Sequence, residues 1–158
     1  MAAPTESTAP SPTPPPKPTK ASSARIEGKY RITLFLVSSQ IQGLPTRDKS
    51  TWRVSPTCDS GGQCDVIIQS SNKWSKRAIF IQGKYRLARN IRDAFTCDGS
   101  KDPGVYEYGF FATDMDLIDN EWTATGLSGT FVERTVRGCG FDPPGVAGKY
   151  AIRGHLTG

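Results

Sequence analysis

The chain has 158 residues, 36% of them hydrophobic, with a formal net charge of +5 and a mean hydropathy of −0.44. No stretch approaches the roughly 20 apolar residues of a membrane-spanning helix; the longest apolar run near the start, Leu34-Phe35-Leu36-Val37, is a strand's length. The 16 glycines and 12 prolines point to many turns rather than long helices, and so mild a basic excess does not by itself select nucleic acid.

Residues 1–23 hold Pro4, Pro10, Pro12, Pro14, Pro15, Pro16 and Pro18, and no aromatic residue. Such a segment buries too little to offset its ordering entropy, so a stiff, disordered, polyproline-like tether is expected. It has no apolar stretch of the roughly 7–15 residues that marks a secretory signal. The expectation is a parent chain with a signal peptide, lipid anchor or membrane helix upstream. The folded unit is then residues 24–158.

From Gly28 the pattern becomes two-residue alternation, with Tyr30, Ile32, Leu34 and Leu36 on one face. After a loop around Leu44–Lys49, residues 50–55 alternate again with Trp52 and Val54 inward. Residues 63–69 put Val66 and Ile68 on one face, and residues 77–82 set Ala78 and Phe80 against Ile79 and Ile81. Gly83 marks a turn or bulge, followed by Tyr85 and Leu87 in register. A short helix over residues 84–93 is the alternative there, since Leu87, Ile91 and Ala94 are helically spaced. A strand near residues 94–97 is next. Residues 105–118 set Tyr106, Tyr108 and Phe110 against Phe111, Met115 and Leu117. Residues 122–136 read as a strand pair or one bent strand, with Gly126 and Gly129 as bulge points. A last strand carries Tyr150, Ile152 and Leu156.

About eight to ten strands at this spacing define an all-β fold, an antiparallel barrel with lipocalin- or avidin-like closure or a sandwich. Gly-Lys-Tyr recurs at Gly28, Gly83 and Gly148. Each glycine would let the chain bend into a strand whose first tyrosine enters the core. The outer two copies open and close the unit, as in a barrel whose first and last strands pair.

Four cysteines, Cys58, Cys64, Cys97 and Cys139, allow three disulfide connectivities. The Gly61-Gly62 loop favours Cys58–Cys64, which leaves Cys97–Cys139 as the long closure. Four reduced thiols is the alternative; a zinc site has the wrong spacing.

The order Ser50-Thr-Trp52-Arg-Val54-Ser-Pro56-Thr-Cys58, Gly61-Gly-x-Cys64, isolated Cys97, Trp122-x-Ala-Thr-Gly-Leu-Ser-Gly-Thr130, Cys139 and Ala147-Gly-Lys-Tyr-Ala-Ile-Arg-Gly154 resembles a class of actinobacterial extracytoplasmic β domains. These sit behind Pro/Thr-rich linkers in secreted or lipid-anchored proteins, or as the outer sensor region of membrane Ser/Thr protein kinases. The resemblance covers residues 26–158. It implies an extracytoplasmic location, disulfides and the architecture, and carries over no functional residue. The chain itself has no kinase motif.

Chemistry-bearing residues are sparse. The single histidine, His155, lies on the polar face of the last strand, and no Gly-x-Ser-x-Gly elbow accompanies it. No catalytic residue and no cofactor are expected. Asp114, Asp116, Asp119 and Glu121 form the densest acidic group, a weak Ca²⁺ candidate without the EF-hand spacing; the alternative is a solvated hairpin end. Lys73, Trp74, Lys76, Arg77, Arg86 and Arg89 form a candidate patch for an anionic ligand such as a cell-envelope glycan. The alternative is a charged face with Trp74 capping the core. The expectation is a non-enzymatic, monomeric, extracytoplasmic sensor or binding module for a glycan or small ligand, not for nucleic acid. An envelope-associated inhibitor or hydrolase and a structural spacer are the competing classes.

Overall fold

The computed structural model describes residues 3–4, 13–137, 139 and 145–158. A 3-10 turn at Ala21–Ser23 precedes eight strands: β1 (Gly28–Ser39), β2 (Arg47–Pro56), β3 (Val66–Ser70), β4 (Ser75–Ile81), β5 (Lys84–Cys97), β6 (Ser100–Ile118), β7 (Glu121–Thr135) and β8 (Val146–Leu156). Each pairs antiparallel with its neighbours in chain order, and β1 pairs with β8, so the sheet closes into a barrel. This resolves the choice between barrel and sandwich. Closure leaves no first or last edge exposed.

Alternation is what builds the wall. Tyr30, Ile32, Leu34, Trp52, Val54, Val66, Ile68, Ala78, Tyr85, Leu87, Tyr108 and Phe110 are all buried and all inward. On β5 the helical alternative for residues 84–93 gives way to a strand. Tyr85 and Leu87 are buried there while Lys84, Arg86 and Ala88 are exposed, a period of two that a helix cannot produce. The tyrosines of all three Gly-Lys-Tyr elements, Tyr30, Tyr85 and Tyr150, lie in the interior.

Turn chemistry sets the hairpins. Gln82-Gly83, Asp98-Gly99 and Asp119-Asn120 have positive φ at both residues, the twist that matches tight antiparallel hairpins. Residues 121–135 form one strand rather than two. Its register with β6 shifts opposite Gly126, and the shift lets Met115 pack on the core together with Tyr108 and Phe110, although strict alternation puts it on the opposite face. Gly129 is not a bulge. It stays in register opposite Phe110, where a Cβ would press on the Phe110 backbone.

One end of the barrel is sealed. Ala24 and Ile26 are buried beneath the strands, and Arg25 bridges to β7 through its N–H to the Trp122 carbonyl (2.9 Å) and its carbonyl to the Ala124 N–H (2.8 Å). The Cys58–Cys64 loop is clipped to this plug: Arg25 donates to the Gly61 carbonyl (3.1 Å), and the Gly61 N–H donates to Glu121 (2.5 Å). Above the plug, the Tyr30 hydroxyl donates to the Ala124 carbonyl at 2.7 Å.

The second disulfide, Cys97–Cys139, ties the β5–β6 hairpin to the β7–β8 connection at the other end. Both bridges are typical of chains that mature in an oxidising environment. From Pro15 onward the tether lies against the barrel. The Trp122 indole donates to the Pro15 carbonyl (2.9 Å), and the Lys17 ammonium sits 5.3 Å from the Trp122 ring centre. The tether expectation for residues 1–2 and 5–12 lies outside the described residues. Among the described residues no helix is long and apolar enough to cross a membrane.

Candidate ligand site at the open end of the barrel

Among the described residues the interior is not filled to the top. Trp52, Tyr85 and Phe110 pack the lower half, with Trp52 and Phe110 ring centres 5.4 Å apart and Tyr85 and Phe110 stacked at 5.3 Å. Above them a cavity of about 230 Å³ opens away from the plug. Its walls are Ile32 and Leu34 of β1, Asp48, Ser50 and Trp52 of β2, Trp74 beside the β3–β4 turn, Arg89 of β5, Tyr106 and Tyr108 of β6, and Phe131 and Glu133 of β7.

Register explains why polar groups reach this interior. Tyr106 pairs with Arg89 on one side and with Glu133 on the other, so all three project inward at one level. Arg89 and Glu133 are therefore two strand spacings apart, roughly 10 Å. Asp48, directly opposite Leu34 of β1, reaches the exposed rim of the cavity by the same logic.

The aromatic wall is continuous. Trp74 packs edge-on against Trp52 (5.9 Å) and tilted against Tyr108 (5.5 Å); Tyr108 stacks on Phe131 at 4.5 Å. The Arg89 guanidinium lies 4.6 Å from the Trp74 ring centre. Burial raises the Tyr108 phenol, and the neighbouring Arg89 offsets only part of that. Burial also lifts the Glu133 carboxyl above the ordinary glutamate range. The ion pairs among the described residues are Arg25–Glu27, Arg77–Asp65, Arg134–Glu107 and Arg137–Asp102. Neither Glu133 nor Asp48 is in one.

The structure divides the basic group named from sequence. Trp74 and Arg89 face the cavity. Lys76, Arg77 and Arg86 line a separate outer concavity of about 750 Å³ over β4 to β7, beside the exposed Ile79 and Ile81. Arg77 is held by Asp65 at 2.8 Å, and the Phe80 N–H, with Arg77 beside it, keeps that carboxyl below its usual range. Lys73 sits in the β3–β4 turn with φ of 65°. Trp74 thus caps the core and at the same time walls the cavity.

The acidic group is spread along the β6–β7 hairpin. Asp114 accepts from the Thr113 hydroxyl, Asp119 occupies the turn, and Glu121 is engaged by the Gly61 N–H. Asp116 lies opposite Thr123. Among the described residues, one group of three potential metal ligands lies within 4.8 Å of one another: Cys97, Asp102 and Cys139. Its two sulfurs are bonded to each other. His155 is exposed on β8.

Asp48, Ser50, Tyr106, Phe131 and Glu133 were not legible as site residues by motif. A signal did exist: Glu133 shares the inward parity of Phe131 on an amphipathic strand, where an acid is out of place unless it serves a cavity. Comparisons with protein-family models, with curated proteins and with solved structures find no match.

Proposed function

We propose that this chain is a non-enzymatic, extracytoplasmic binding module that takes a small molecule into the open end of its barrel and is presented on its Pro/Thr-rich segment. The cavity carries this reading. It is concave, walled by aromatic rings, and holds a few convergent polar groups, the composition usual for small-molecule sites. Among the described residues one end is sealed and the other is open, which supports a single entry.

Two disulfides and a plugged base support a preorganised receptacle. Little ordering is then left to be done on binding, which favours affinity. The resemblance to outer sensor domains supports presentation of the module outside the cell.

A thermal-shift screen of small molecules against the wild type and Ser50→Trp tests the proposal. Ser50 lines the cavity opposite Ile32, and an indole there would fill it. Stabilising molecules whose effect disappears in Ser50→Trp support the reading. Molecules that stabilise both proteins equally, or none that stabilise the wild type, would turn the assignment towards a surface-recognition or spacer domain.

A further inference from the structure

We infer that the occupant of the open-end cavity is a small organic cation, an ammonium compound held by Glu133 and Asp48 against the aromatic wall that Trp74 and Tyr106 present. The inference rests on the cavity being a binding site and adds the chemistry of its ligand.

The first argument is charge. The lining holds two carboxylates, Asp48 and Glu133, and one cation, Arg89. Arg89 is already engaged by the Trp74 face and the Tyr108 side chain, and it forms no ion pair with either acid. An anionic ligand would meet two uncompensated carboxylates, whereas a cation would neutralise one that burial now disfavours.

The second argument is the wall. Ring faces attract cations through their quadrupole, most strongly at indole and when partly desolvated. Arg89 over Trp74 shows that this wall already accepts one cation. The third is size. A cavity of about 230 Å³ falls below the roughly 300–1,000 Å³ of pockets for drug-sized ligands. A compact occupant, with its charge close to its apolar surface, fits this volume.

Isothermal titration calorimetry of the full chain with choline and with its uncharged carbon isostere, neohexyl alcohol, tests the inference. Choline is expected to bind about tenfold or more tightly. Glu133→Gln, nearly isosteric, should remove most of that preference, and Asp48→Asn at the exposed rim should reduce it. Equal binding of the two probes, or a preference unchanged in both variants, overturns the cation assignment. If choline fails while a neutral or anionic compound from the screen binds and is lost in Ser50→Trp, the cation inference falls and the cavity reading stands. If no compound binds, both fall.

Discussion

The Arg89 guanidinium carbon lies 4.6 Å from the centre of the Trp74 ring, inside the mouth of the barrel rather than on its outer wall. This contact places the two most informative members of the sequence-level basic patch in the cavity. It also makes Arg89 a competitor for the aromatic surface that a cationic ligand would use. Arg89→Gln is expected to cost stability by about 1 kcal/mol or less while tightening choline binding. Chemical denaturation and calorimetry check the two effects separately. Weaker choline binding in Arg89→Gln would contradict the competition.

Glu133 makes binding and stability depend on pH in opposite senses. Its carboxyl is raised by burial, and the charged or titratable groups around it are Asp48, Arg89, Tyr106, Tyr108 and Tyr150. The folded state holds this proton more tightly than the unfolded state does. Its contribution to stability is therefore fully present below the ordinary glutamate value and lost as pH rises through the raised value. Choline binding, which needs the carboxylate, should rise over that same interval. Glu133→Gln should flatten both slopes and stabilise the free protein at neutral pH by about 0.5–2 kcal/mol, as removal of functional strain commonly does. Paired pH series of melting temperature and affinity measure this.

The five tyrosines should resist ionisation while the barrel stands. Burial pushes Tyr85 and Tyr150 up to about 12, and raises Tyr30, Tyr106 and Tyr108 as well. The stability held by these neutral phenols is intact below the ordinary tyrosine value and lost as pH climbs through the raised ones. Tyrosinate absorbance should therefore appear together with loss of the near-ultraviolet dichroism. Tyrosinate forming well before unfolding would contradict the burial described. Tyr30→Phe, which leaves the buried Ala124 carbonyl without its 2.7 Å donor, should cost about 1–3 kcal/mol in urea.

Much of the fold was legible because burial and strand alternation are the same signal. Period two and the Gly-Lys-Tyr elements put Tyr30, Trp52, Val54 and Tyr85 inward, and all four are buried. Both disulfides formed as the Gly61-Gly62 loop had favoured. The departure of Met115 from strict alternation has a local cause, the register shift opposite Gly126. The site was harder to see. Arg89, Tyr106 and Glu133 are 44 residues apart at the extremes and meet only through cross-strand register, which no short motif encodes. Trp74 was singled out for its charged neighbours, although its ring belongs with Trp52 and Tyr108.

The disulfides should contribute unequally. Cys97–Cys139 closes 42 residues and Cys58–Cys64 closes 6. On chain entropy alone these are worth about 4 and about 2 kcal/mol at 25 °C. Denaturant unfolding of Cys97→Ala/Cys139→Ala against Cys58→Ala/Cys64→Ala tests the order. Peptide mapping without reductant should recover both bridges and no free thiol.

The three tryptophans provide the most direct test of where the protein binds. Trp52 and Trp74 wall the cavity, whereas Trp122 lies at the plugged end with its indole N–H on the Pro15 carbonyl. A proton–nitrogen correlation spectrum followed during choline titration reads all three indole N–H groups at once. The account predicts saturable shifts at Trp52 and Trp74 with Trp122 unmoved. Shifts confined to Trp122 would contradict a binding site in the open end of the barrel, and no shift at Trp52 and Trp74 would contradict choline as its occupant.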